Sequence, residues 1–204
     1  MVKAINKTKD FLFPTQVVSG EIPEFEQIQD KLIKWIYKYK KENEGNANRS
    51  CIGGWQSTKK DVFTDEGFKE FHNVIIPIIS ELVKEFNLEK PADIVQMWIN
   101  INNKGAYNVS HRHPNCDLSG VIWIKQSEQQ GNFVFDNMDI GYRDWNLLFN
   151  MNEIYRENNR MTSSWIPLYK DGTIIIFPSE LSHRVDINET EEDRISLSFN
   201  IKLK

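Results

Sequence analysis

Cysteine is scarce in this chain of 204 residues: Cys51 and Cys116 are the only two. A disulfide framework and a cysteine-rich zinc site are both excluded, and two free thiols in a reducing compartment are the simplest reading. An excess of basic residues is also lacking. The formal charge is −4, and no Lys/Arg cluster could track a phosphate backbone, so nucleic acid is not an expected partner. No apolar run approaches the roughly 18 residues that a membrane-spanning helix needs. The opening Met1-Val2-Lys3-Ala4-Ile5-Asn6 has no apolar stretch of the secretory kind. A cytoplasmic protein without membrane association is the expectation. Repeats and low-complexity tracts are absent.

Histidine is scarce too, with four in all, and its distribution is uneven. His111 and His113 lie in Ser110-His111-Arg112-His113-Pro114, and a third in Ser182-His183-Arg184. The fourth, His72, sits beside an apolar helical stripe and receives no chemical role.

What the chain does contain is ordinary globular material, 40% hydrophobic and 26% charged. Its length suits one domain with a substantial core. Residues 1–90 read as an N-terminal arm and supporting helices. An apolar extended piece is expected around 11–18. The positions Phe25, Ile28, Leu32, Trp35, Ile36 and Tyr39 follow a helical period that should fade near Glu44-Gly45-Asn46. Gly53-Gly54-Trp55 reads as a loop around one large aromatic. A second helix is expected from Thr64, with Asp65 and Glu66 suiting its positive end and Phe68, Phe71, Ile75, Ile78, Leu82 and Phe86 as its stripe. Pro77 should kink or split it.

From residue 91 the pattern turns to strands, expected at 96–102, 119–126, 131–136, 166–169, 173–177 and 194–203. Asp171-Gly172 signals a tight hairpin. In the last strand Arg194, Ser196, Ser198 and Asn200 alternate with Ile195, Leu197, Phe199 and Ile201. One face is apolar, and the other suits a polar cavity. The fold class expected is mainly β with flanking helices: a double-stranded β-helix (jelly roll) over 91–204, buttressed by the N-terminal helices. The stretch 137–164 interrupts the strands, with a short helix expected within 145–156. It is either a substrate-covering lid or a plain surface excursion.

Histidines two apart on an extended segment point to one side and can grip one ion. With His183 they form three neutral nitrogen ligands, suited to iron, copper, nickel or zinc. Three protein ligands leave coordination positions open, as catalysis requires. Each histidine could instead be a satisfied or exposed residue, and Arg194 could pair on the surface with Asp193 or Glu192. The polar face that Arg194 shares favours a cavity, where its guanidinium could hold a carboxylate by two parallel hydrogen bonds with Ser196 as a further donor.

These residues carry a resemblance. His111-x-His113, Leu118-Ser119-Gly120-Val121-Ile122-Trp123-Ile124, Ile176-Phe177-Pro178-Ser179-Glu180-Leu181-Ser182-His183 and Arg194-Ile195-Ser196-Leu197-Ser198-Phe199-Asn200 are similar to the Fe(II)- and 2-oxoglutarate-dependent oxygenases. The nearest group is a family of bacteria and marine phages related to the prolyl 4-hydroxylases. The likeness spans about 91–204, and Gly53-Gly54-Trp55 also fits it. It implies a jelly-roll core with iron at its mouth, 2-oxoglutarate as cosubstrate, O2 as oxidant and ascorbate as a possible reductant. His111 and His183 take the places of the two ligand histidines, and Arg194 and Ser196 those of the pair holding the far carboxylate of 2-oxoglutarate. Tyr107 matches a tyrosine of the preceding turn, and Asn100 and Trp123 fall on strands whose side chains contact cosubstrate in relatives. His113 stands where the family's carboxylate ligand belongs, and Asp117 is the nearest carboxylate that could replace it.

The activity implied is a 2-oxoglutarate-dependent dioxygenase that hydroxylates a peptide, an amino acid or another small molecule, releasing succinate and CO2. The partners expected are 2-oxoglutarate and a protein or small-molecule substrate. A homodimer stays open, and so does host cytoplasm if the gene is a phage's. Two alternatives remain: a cupin-like three-histidine dioxygenase that does not use 2-oxoglutarate, and a non-catalytic metal-binding jelly roll.

Overall fold

A computed structural model describes residues 14–45, 50–58, 62–127, 129–137, 150–159 and 161–204. In chain order the elements are β1 (Val18–Glu21), α1 (Glu26–Glu42), β2 (Cys51–Ile52), β3 (Trp55–Gln56) and α2 (Lys69–Lys84). Next come β4 (Ala92–Asn102), β5 (Tyr107–His111), β6 (Leu118–Lys125), β7 (Phe133–Asp136) and α3 (Glu153–Asn158). The chain closes with β8 (Ser164–Trp165), β9 (Thr173–Pro178), β10 (His183–Val185) and β11 (Arg194–Leu203).

The strands form two antiparallel sheets, one of order β1-β9-β6-β11-β4-β3 and one of order β2-β5-β10-β7-β8. Alternation along the central strands divides the apolar residues between two cores. Ile195, Leu197, Phe199 and Ile201 of β11 join Ile122, Ile124, Ile174 and Ile176 beneath the helices, against Leu32, Ile36, Phe71, Ile75 and Ile79. Val121, Trp123, Ile175 and Phe177 point the other way, toward Phe133, Phe135 and Val185 of the smaller sheet. The helices thus cover one face of the larger sheet, and the polar face of β11 is left for the space between the sheets.

Pro77 does not split the second helix, which is continuous from Lys69 to Lys84. Proline inside a helix costs about 3 kcal/mol. Phe71, Ile75 and Ile79 are buried on both sides of it, and each such side chain contributes about 1.5–3 kcal/mol on burial. Docking outweighs the defect. The helix also starts later than its pattern suggests, after a separate 3-10 turn at Val62–Thr64. Asp65 serves that junction, accepting from the Gly67 amide at 2.8 Å and from Trp35 Nε1 at 2.9 Å.

The strand expected over 166–169 does not form. Pro167 removes a donor, Ile166 and Leu168 are exposed, and only Ser164–Trp165 pairs with β7. The Asp171-Gly172 turn is present, with Thr173 donating to the Lys170 carbonyl at 3.0 Å and Gly172 at φ +81°. It feeds β9 from an irregular segment, so it closes no hairpin. Of the stretch 137–164, residues 138–149 and 160 lie outside the described residues, as do the first positions of the expected arm. The helix within it is limited to Glu153–Asn158 among the described residues, with Asn152 Oδ1 capping the Tyr155 amide at 3.0 Å.

Candidate active site

The smaller sheet assembles the histidines. In the β5–β10 pair His183 lies directly opposite His111, and their ring centroids are 4.3 Å apart. His113 follows just beyond β5, where its amide donates to the Ser179 carbonyl at 3.0 Å. Its ring lies 5.2 Å from that of His111 and 5.0 Å from that of His183. One nitrogen from each of the three rings falls within 4.8 Å of the others, a group able to hold one metal ion.

Each ring has its Nδ1 engaged. His111 Nδ1 lies 2.7 Å from the Val109 carbonyl, and His183 Nδ1 lies 2.9 Å from the Leu181 carbonyl. His113 Nδ1 lies 2.5 Å from Asn200 Oδ1. A carbonyl oxygen only accepts, so Nδ1 carries the proton in each ring and Nε2 offers its lone pair. Burial, followed by the nearby His111, holds His183 well below the usual histidine pKa. His183 is thereby set up as a neutral ligand.

Asp117 is engaged elsewhere. Its carboxylate accepts from the Leu203 amide at 2.8 Å and pairs with Lys202 at 3.3 Å. His72 packs edge-on against Phe63 and Phe68. Cys51 and Cys116 are not joined in a disulfide.

Arg194 opens β11 and is buried to 1% exposure. Neither expected surface partner holds it. Asp193 accepts from the Tyr37 hydroxyl at 2.9 Å, and Glu192 pairs with Lys125 at 2.6 Å. Arg194 Nε instead donates to Gln126 Oε1 at 3.0 Å. Burial lowers its pKa, with the Tyr169 phenol as the largest opposing influence. Its Nη2 has no hydrogen-bond partner, and neither has the buried Trp123 Nε1; one acceptor, Asn102 Oδ1, is in the same position. A buried guanidinium without a counter-charge is costly. Among the described residues no carboxylate pairs with it, so a carboxylate ligand fits this pocket chemically.

Arg194, Ser196 and Ser198 line one cavity with the three histidines, Trp98, Asn100 and Asn108. Asn100 is held across the larger sheet, accepting from Gln56 Nε2 at 2.8 Å and donating to Ser198 Oγ at 3.0 Å. Trp123 is fully buried and stacks on Tyr169 at 4.0 Å. A register shift between β10 and β5 sets Asn108, three positions before His111, on the cavity side. Tyr107 and Asn108 both pair with β2, opposite Ile52 and Cys51, and of the two only Asn108 lines the cavity. Simple alternation from His111 selects Tyr107 and passes over Asn108. Tyr169, at the end of the segment expected as a strand over 166–169, lies in irregular structure and stacks on Trp123 from there. A separate groove of about 770 Å³ runs along α2 and the start of β4, with His72, Ile76, Ile79 and Val83 among its lining and none of the three clustered histidines.

Comparisons with known proteins follow the same lines. The family model described as "Putative 2OG-Fe(II) oxygenase" matches residues 96–200, a span holding all three clustered histidines and Arg194. No curated protein matches the chain in sequence. Among solved structures, a prolyl-4-hydroxylase from Pseudomonas putida superposes with a TM-score of 0.64 at 12% identity, covering 93% of this chain and 94% of its own. The α-ketoglutarate-dependent epimerase SnoN of nogalamycin biosynthesis gives a TM-score of 0.67 at 10% identity, covering 92% and 76%. HygX from Streptomyces hygroscopicus, with nickel and 2-oxoglutarate bound, gives 0.60 at 9% identity, covering 93% and 83%. At these identities the likeness establishes a shared jelly-roll fold.

Proposed function

We propose, for a chain that belongs to the 2OG-Fe(II) oxygenase family, that it is a 2-oxoglutarate-dependent dioxygenase with His111, His113 and His183 as its iron ligands. The observation that carries this reading is the buried Arg194 guanidinium, with an unpartnered Nη2, in the cavity that the three histidines line. Arg194 and Ser196 hold the far carboxylate of 2-oxoglutarate, Trp123 Nε1 offers a second buried donor, and Asn100 borders the cosubstrate. Tyr107, at the start of β5, is not among the residues that line this cavity. With the side chains in this arrangement the free space is about 30 Å³, room for one water, so cosubstrate binding requires neighbouring side chains to part.

When bound, iron(II) supplies oxygen activation coupled to oxidative decarboxylation of 2-oxoglutarate, giving succinate, CO2 and an oxidised substrate. The chain's own contribution is position and charge. Three imidazoles bring no negative charge, so a divalent ion keeps its full +2 and draws the dianionic cosubstrate more strongly than with a carboxylate ligand. Burial of His183 and the apolar ring of Phe133, Phe135 and Phe177 keep water from the inner side. Hydroxylation of a peptide or amino-acid side chain, or of another small molecule, is the proposed outcome, and the likeness to a prolyl-4-hydroxylase supports that class.

Purified protein given Fe(II), ascorbate, O2 and 2-oxoglutarate should form succinate, even slowly without substrate, and should bind 2-oxoglutarate. Absence of both overturns the reading. The three-imidazole set also suits a dioxygenase that needs no cosubstrate. In that case Arg194→Ala would leave O2-dependent turnover intact.

A further inference from the structure

His111 and His183 owe their ring orientation to backbone carbonyls two residues earlier, Val109 and Leu181. These contacts are local, and they survive any side-chain substitution that keeps the strands. His113 differs. Its Nδ1 meets side chains of other strands, Asn200 at 2.5 Å and Ser119 at 3.0 Å.

Asn200 lies at the far end of the β11 cavity face and is buried to 2% exposure. An amide presents either an acceptor or a donor to a neighbour, depending on which way it is turned. Here the far side of the amide meets a second amide. Asn200 Nδ2 donates to Gln96 Oε1 at 2.8 Å, and Gln96 is the residue directly opposite on β4. With Nδ2 so committed, Oδ1 faces His113. The Ser119 hydroxyl adds a second donor to Oδ1 at 2.9 Å and lies 2.8 Å from the Ser179 hydroxyl. Ser179 in turn accepts the His113 amide on its backbone carbonyl.

From this relay we infer that Asn200 is the positioning residue that makes His113 a metal ligand. Its carbonyl oxygen takes the Nδ1 proton, so the unprotonated Nε2 is turned toward His111 and His183. The inference rests on the metal-centre reading given above and adds a cause to it. A carboxylate in place of His113 would carry no proton for Oδ1, and the two acceptors would oppose each other. The polar lining on the β11 side is therefore matched to an imidazole. An imidazole is the ligand here by construction, and Asn200 is its counterpart.

The test uses the full chain and Co(II), whose binding is read from its visible absorption and by competition with a chelator. Asn200→Leu should weaken Co(II) binding by about 10–100-fold, the range for lost outer partners of ligand histidines. Asn200→Asp keeps an acceptor and should stay within about threefold of the unaltered chain. Equal affinities for the unaltered chain and Asn200→Leu overturn the inference, as does an Asn200→Asp loss matching that of Asn200→Leu. Where Asn200→Leu does not fold, Asn200→Asp and the ring-nitrogen shifts of 15N-labelled His113 decide. Those shifts should report a proton on Nδ1 in the metal-free chain, and a proton on Nε2 overturns the inference. An unaltered chain that takes up no Co(II) would sink the metal-centre reading itself, leaving the tautomer of His113 to judge Asn200 separately.

Discussion

His111 and His183 face each other across the β5–β10 ladder, with ring centroids 4.3 Å apart. Directly opposed residues on an antiparallel pair are as close as two strands can bring side chains. His183→Ala should therefore remove the most buried of the three nitrogens and lower Co(II) or Fe(II) affinity by about 100-fold or more. Circular dichroism should still report the folded sheet content. Metal analysis after dialysis against a defined metal buffer checks it.

His113 and Asp117 compete for one assignment, and the geometry separates them. Asp117 is committed to Lys202 and the Leu203 amide. Asp117→Ala should leave metal affinity within about twofold, while His113→Ala should reduce it at least tenfold. Isothermal titration with Co(II) distinguishes the pair. The reverse ranking would make Asp117 the ligand.

Arg194 should govern cosubstrate and leave the metal alone. Arg194→Ala removes a charged hydrogen-bonding group, each such bond being worth about 1.5–3 kcal/mol. The expected loss in 2-oxoglutarate affinity is about tenfold to a few hundredfold, with metal affinity unchanged. Arg194→Lys keeps the charge without the fork and should fall between. Fluorescence quenching of the stacked Trp123 offers a direct titration.

Tyr37 contributes a pH dependence on the alkaline side. Burial first, then its hydrogen bond to Asp193, pushes the phenol up to about 12. The folded value lies above the ordinary one near 10, so the fold favours the neutral phenol. Its contribution to stability is fully present below pH 10 and is lost as pH rises from 10 through about 12. Asp193→Asn should move the phenolate absorbance transition of Tyr37 downward. An unmoved transition would show that Asp193 plays no part.

Gly120 is required by packing in the core beneath the helices. A Cβ there would lie 2.2 Å from Phe199 Cζ and 2.8 Å from the Ile175 carbonyl oxygen. Gly120→Ala should cost about 1–3 kcal/mol and lower the melting temperature by several degrees. The helical signal at 222 nm should be lost in the same transition as the sheet.

Much of this protein is legible in its sequence. The alternation in 194–203 marks a strand with one apolar and one polar face, because side chains on a strand take opposite sides in turn. The same logic marks 96–102, and the spacing of Phe68, Phe71 and Ile75 marks a helix, although Ile79, not Ile78, is the residue it buries beyond Pro77. The scarcity of histidine makes the clustering of three in two short segments conspicuous, and the resemblance carried by 91–204 agrees with the family that the chain belongs to. These features depend on local periodicity and residue type.

Other features depend on which strand lies beside which. The β10–β5 register shift puts Asn108, not Tyr107, on the cavity side. Whether Asp193 or Glu192 neutralises Arg194 was settled by Tyr37 and Lys125, residues 156 and 67 positions away from their partners. Tyr169 reaches Trp123 from a segment that reads as a strand and forms none. The partner of His113 is Asn200, held by Gln96 from a third part of the chain. The sequence alone determined the residue types available for the site and the faces they occupy, because alternation is a local rule. Only the tertiary structure decided which of them meet, because register, bulges and long-range hydrogen bonds are properties of paired strands and not of any one of them.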